Sequence, residues 1–258
     1  MALVEVYTSR RLTKATDKLV AFSGVAKVFE ALLHFPLGEY YAGLWRAYLC
    51  LHLCWGRSPR LMPAVAMRTG EPSWSWSSIA EPCSYIIYLP TIFSERNLDE
   101  MEIFRVLEVE TTPIGDNFGA ISCGKIVGIG PVVDAKIEFR HENDTNALAV
   151  GVRVEGSNQV FNVACDICQW KEESDEWAEM QSSDRLVEKE TVICVGMLAT
   201  VHSILSIIHQ STWLVCRKVD GNLKRIGIMT FGTFVPTLNN CFGHELAKYA
   251  RDETCTLV

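Results

Sequence analysis

The sequence predicts an α+β fold: an N-terminal helical pair packed on a curved, mainly antiparallel β-sheet or barrel. Three observations carry that expectation. Apolar residues recur at three- and four-residue steps through the N-terminal part of the chain, short β-branched runs broken by Pro, Gly and Asn fill the remainder, and hairpin turn residues join several of those runs. A chain of 258 residues that is 48% hydrophobic and 21% charged buries a substantial core. It divides into a helical subdomain, 1–62, and a β-rich barrel or sandwich with a C-terminal helix, 63–258, expected to pack as one compact unit.

The first helix begins after Arg10-Arg11, with Thr13 or Thr16 as N-cap and Asp17 placing negative charge in the first turn. Leu19, Phe22, Ala26, Phe29, Leu32 and Leu33 form its apolar stripe. Pro36 and Gly38 end it. A second helix is expected from about Glu39. Tyr41, Leu44, Trp45, Tyr48, His52 and Trp55 share one face, Tyr40, Leu49 and Leu53 the other, and Gly56 supplies the stop.

A connecting loop follows from Arg57 to Glu71, where no period is visible. SWSWSSI then alternates with period two, the pattern of a half-buried strand. YIIYL, IFRVLEVET, AISCGKIVGIG and VVDAKIEFR continue as strands. The glycines at 119, 124, 128 and 130 lack the order of a phosphate-binding loop and read as turns and bulges of a curved sheet. ALAVGVRVEG and QVFNVACDI form a hairpin, and KEESDEWAEMQSSDRLVEKE is an acidic loop or short helix. TVICVGMLATVHSILSIIHQSTWLVCRKV reads as strand, loop and strand. Asp220-Gly221 marks another hairpin, and GHELAKYARDE a short terminal helix.

The formal charge of −7 argues against nucleic acid as a partner. No run reaches the roughly 20 apolar residues of a membrane span, since Arg46 and His52 interrupt Tyr40–Trp55. The opening residues lack a small-residue cleavage site, so a cytoplasmic location is expected. Most of the ten cysteines sit in apolar runs and read as buried side chains. Cys165 and Cys168 form a CxxC without the second ligand pair that a zinc site needs. No metal or cofactor is expected.

Three segments in order, YTSRRLTKATDKLVAFSGVA (Tyr7 to Ala26), YYAGLWRAYLCLHLCW and EPSWSWSSI, resemble the region that follows the N-terminal domain of fungal heterokaryon-incompatibility proteins. FGAISCGKIVGIGPV and WLVCRKVDGNLKRIGIMTF are similar to later parts of that region. The resemblance implies a free-standing copy of this companion module, without the incompatibility domain that would precede Tyr7.

No nucleophile elbow, HExxH, P-loop or kinase motif is present. Arg140, His141, Glu142 and Asp144 alternate across a strand end and do not converge. His202 and His209 read as structural, and Arg10, Arg11 and Asp17 as a salt-bridged brace. Aromatic side chains are dense around the helices and first strand, where Tyr41, Trp45, Trp74 and Trp76 are the expected substrate-binding residues. The functional expectation is a cofactor-free cyclase of fungal secondary metabolism, a pericyclase acting on an apolar terpenoid or polyketide. Its catalytic residues are unassigned. The alternative is a regulatory module related to heterokaryon-incompatibility proteins that acts through a protein partner.

Overall fold

The structure, a computed structural model, describes residues 1–10, 14, 17–32, 37–57, 71–85, 101–142, 147–157, 160–165, 187–202, 207–235, 246 and 248–258. It is α+β with a mostly antiparallel sheet. Helix α1 (Ala2–Thr8) precedes the expected helix, which is α2 (Lys18–Leu32). Leu19, Phe22 and Ala26 bury the inner stripe of α2, whereas Phe29 is 43% and Leu32 68% exposed. The proposed caps Thr13 and Thr16, and Leu33, lie outside the described residues. Lys18 is buried and donates through Nζ to the Ile79 carbonyl at 2.5 Å and the Glu81 carbonyl at 3.3 Å, tying α2 to a distant segment.

The second helix expected from Glu39 is a correction. Tyr40–Tyr41 (β1) and Leu44–Trp45 (β2) form a hairpin around Ala42 and Gly43, whose φ values are 48° and 92°. A 3₁₀ turn at Arg46–Tyr48, helix α3 (Leu49–Leu53) and strand β3 (Trp55–Arg57) follow. The hairpin is fixed by the Trp76 indole, which packs against Gly43 and donates Nε1–H to its carbonyl at 3.1 Å. A tertiary contact thus overrides the helical period.

SWSWSSI is a second correction: Trp76–Ser78 is a buried 3₁₀ turn. Ser75 Oγ accepts from the Ser77 N–H at 3.2 Å and donates to the Ala42 carbonyl at 2.7 Å. These serines satisfy the local backbone, which removes the need for a neighbouring strand. Beyond the turn, β4 (Cys83–Tyr85) pairs with β3.

The remaining strands are β5 (Arg105–Pro113), β6 (Ile121–Glu142), β7 (Ala147–Val154), β8 (Val160–Asn162), β9 (Ala164–Cys165), β10 (Val187–His202), β11 (Ile207–Val219), β12 (Asn222–Val235) and β13 (Arg251–Leu257). They form one sheet of nine strands. Strand β6 is 22 residues long and pairs with β5, β7, β10 and β13. Pairings from β6 through β10, β11, β12 and β13 return to β6, and the parallel β12–β13 seam is the single register pair Leu223–Leu257. Asp220 and Gly221, at φ 50° and 80°, make the β11–β12 turn.

The expected terminal helix GHELAKYARDE is corrected at its end, where Arg251, Asp252 and Glu253 belong to β13, while 243–245 and 247 lie outside the described residues. Leu246 is helical, but Arg251–Leu257 extends along β6, with Arg251 Nη1 paired to Asp134 at 2.5 Å. Cys255 and Leu257 bury themselves there, and that burial favours a strand over a terminal helix. The buried side chains of the sheet fall into two clusters. Val132, Val195, Leu214 and Ile228 join Leu19, Phe22, Trp55 and Trp76 in one core; Val133, Ile137, Val152, Cys194, Trp213 and Met229 form a second.

Candidate functional site

The hairpin, α3 and the two helices leave a cleft of about 330 Å³ between them. Val4 of α1, Phe22 and Ala26 of α2, Leu37, Trp45 of β2 and Leu51 of α3 supply apolar walls. Tyr48, His52 and Tyr85 supply polar atoms. Leu3 and Phe29, 38% and 43% exposed, stand at its rim.

Local folding sets each wall. The Ala42-Gly43 turn brings Trp45 opposite Tyr40, and Phe118 stacks on Tyr40 with centroids 4.8 Å apart. Trp45 meets both rings, at 4.9 Å from Tyr40 and 6.0 Å from Phe118, so its indole is braced from behind. Tyr7, Phe22 and Trp76 form another tilted trio with centroids 5.1 to 5.9 Å apart. Arg225 is fully buried beneath α3. Its guanidinium lies 3.7 Å from the Trp55 ring centre and donates to the Leu53 carbonyl at 2.5 Å and to the Trp55 carbonyl.

His52 is the polar centre of the wall. Its Nδ1 accepts the Trp45 backbone N–H at 3.1 Å, and its ring lies between Tyr48 and Tyr85 at 6.0 and 6.4 Å. Burial pushes its pKa down to about 3, so the ring is neutral near pH 7. Burial also raises the Tyr85 hydroxyl and the Cys50 and Cys54 thiols, which disfavours thiolate nucleophiles there. Among the described residues no group of three or more His, Cys, Asp or Glu side chains is placed to hold a metal ion.

Of the four expected substrate-binding residues, the structure brings Trp45 to the cleft. Tyr41 is half-buried and donates its hydroxyl to Glu39. Trp74 and Trp76 are fully buried in the core. The Trp74 carbonyl accepts from Trp55 Nε1 at 2.8 Å, while Trp74 Nε1 itself has no hydrogen-bonding partner among the described residues. Sequence reasoning passed over His52, Tyr48, Phe22 and Tyr85 as site residues. His52 carried a signal, as the polar residue inside the apolar run LCLHLCW. Arg140, His141 and Glu142 end β6, with Asp144 outside the described residues; Cys165 lies in β9, with Cys168 outside.

No family model matches the chain, no curated protein matches it, and no solved structure matches its fold. Among the described residues no helix is long and apolar enough to cross a membrane.

Proposed function

We propose that the chain is a cofactor-free cyclase that binds an apolar terpenoid or polyketide, related to the companion module of heterokaryon-incompatibility proteins. The observation that carries this reading is the cleft. Its volume of about 330 Å³ and its apolar walls with a few polar atoms suit a small hydrophobic guest. A rigid apolar wall folds a flexible chain so that its reacting ends meet, which lowers the barrier without a nucleophile. In a pericyclic closure π bonds become σ bonds within one molecule, no atom leaves and no proton moves.

Titration with the neutral fluorescent probe N-phenyl-1-naphthylamine tests the reading. Saturable binding at one site is expected. Ala26→Phe, which puts a ring into the cleft from a buried position of α2, is expected to weaken that binding at least tenfold at a stability cost of about 1–3 kcal/mol, with a cooperative melt retained. Incubation with linear polyene ketones is then expected to give products of unchanged mass and altered chromatographic retention. An unsaturable probe signal would sink the proposal.

A second reading, a module that docks a protein partner, draws on a different observation. Val6, Val20, Val28 and Leu32 of α1 and α2 are 51 to 68% exposed, apolar surface that a docked partner would cover. It is the reading that an unsaturable probe signal would favour.

A further inference from the structure

We infer that His52 is a fixed hydrogen-bond donor in the cleft, and that the guest is an apolar molecule presenting one neutral acceptor, a carbonyl above all, to His52 Nε2–H. The inference rests on the cleft reading proposed above and adds the chemistry of what is recognised.

Geometry assigns the proton. The Trp45 N–H donates to Nδ1, so that nitrogen must offer a lone pair, and a neutral imidazole then carries its hydrogen on Nε2. Tyr48 and Tyr85 flank the ring and limit its rotation. Among the described residues Nε2 has no hydrogen-bonding partner, although His52 lines the cleft. His52 is half-buried, so a guest's acceptor can reach Nε2–H, and the apolar walls around it strengthen the bond.

The wall chemistry narrows the class. The walls of Val4, Phe22, Leu37, Trp45 and Leu51 are apolar and, among the described residues, the one charge bordering the cleft is the partly buried Met1 amino group, so an ammonium would lose its hydration without compensation. A ketone, aldehyde or ester oxygen loses far less and gains the Nε2–H bond. Such a bond draws electron density from a conjugated carbonyl, which activates the attached double bond for ring closure, and the N–H bond itself stays intact. His52 touches the substrate in this arrangement, and Trp45 positions it through its backbone.

A matched pair of probes tests the assignment. Benzophenone and diphenylmethane have similar shapes, but only the ketone carries an acceptor, and the hydrocarbon is the more hydrophobic, so burial alone favours it. Each is titrated against bound N-phenyl-1-naphthylamine in wild type, His52→Phe and His52→Gln. The ketone is expected to bind wild type about tenfold more tightly, the size of one hydrogen bond of about 1.4 kcal/mol. His52→Phe is expected to erase the preference, and His52→Gln, which keeps a side-chain N–H, to restore part of it.

Nitrogen-15 NMR of the wild-type imidazole gives a readout that does not depend on the variants folding. Benzophenone is expected to move the Nε2–H proton downfield, and diphenylmethane to leave it in place. Equal binding of the two probes with an unmoved Nε2–H resonance would overturn the donor assignment and leave the cleft reading standing. Failure of both probes and of N-phenyl-1-naphthylamine to bind would overturn the cleft reading and the inference with it.

Discussion

His52 links its own protonation to the stability of the chain. An unfolded imidazole titrates near 6.5, and burial in the folded chain pushes this one down to about 3. As pH falls, the unfolded state therefore takes up the proton first. The stability supplied by the neutral ring is complete above pH 6.5 and is lost on acidification towards pH 3. The slope is at most about 1.4 kcal/mol per pH unit. Urea midpoints at pH 7 and pH 5 are expected to show wild type losing up to about 2 kcal/mol more than His52→Gln. Equal losses would show that the ring is not held neutral by its surroundings. At this scale the sequence was partly readable. An aromatic cluster was visible in Tyr40, Trp45, Trp74 and Trp76, but which rings face empty space depends on contacts such as Trp76 with Gly43, made 33 residues apart.

Two turns separate the elements whose form the sequence announces from those that it disguises. Asp220-Gly221 is a local signal: both residues adopt positive φ, nothing lies within 4 Å of where a Gly221 Cβ would stand, and flanking strands agree with it. Ala42-Gly43 adopts the same kind of backbone inside a helix-like pattern, because the decisive partner is distant. Gly221→Ala is expected to cost about 1 kcal/mol, the strain of positive φ alone. Gly43→Ala is expected to cost about 2–4 kcal/mol, since a Cβ there also overlaps the Trp76 indole. Thermal melts of both variants check the order, and equal shifts would mean that Trp76 does not fix the hairpin. SWSWSSI was disguised for a related reason. Its period of two matches a strand, but Ser75 and Ser77 bond locally and the segment turns.

Over the molecule as a whole, the α+β class and the antiparallel preference were legible from composition and turn spacing. The length of β6 was not. AISCGKIVGIG and VVDAKIEFR look like two strands divided at Pro131, whereas the backbone passes through as one, with β13 and β5 on the first part and β10 and β7 on the second. Gly128 contributes to this: the Phe104 ring occupies the place of its missing side chain, a contact no local pattern reveals. Deleting 251–258 exposes β6 from Ile126 to Val132 along one edge. The truncated chain is expected to lose its cooperative unfolding transition and to aggregate, as light scattering during a melt would report. A sharp two-state melt in that variant would show β13 to be dispensable.

The place of β13 also bears on biosynthesis. On a translating ribosome, Ile126 to Val132 emerge more than a hundred residues before the segment that pairs with them. Until Leu257 has been added, one flank of the central ribbon stays unzipped and open to neighbouring nascent chains. Assembly of the sheet waits for that segment, and crowding by chains that still lack it is the most hazardous moment.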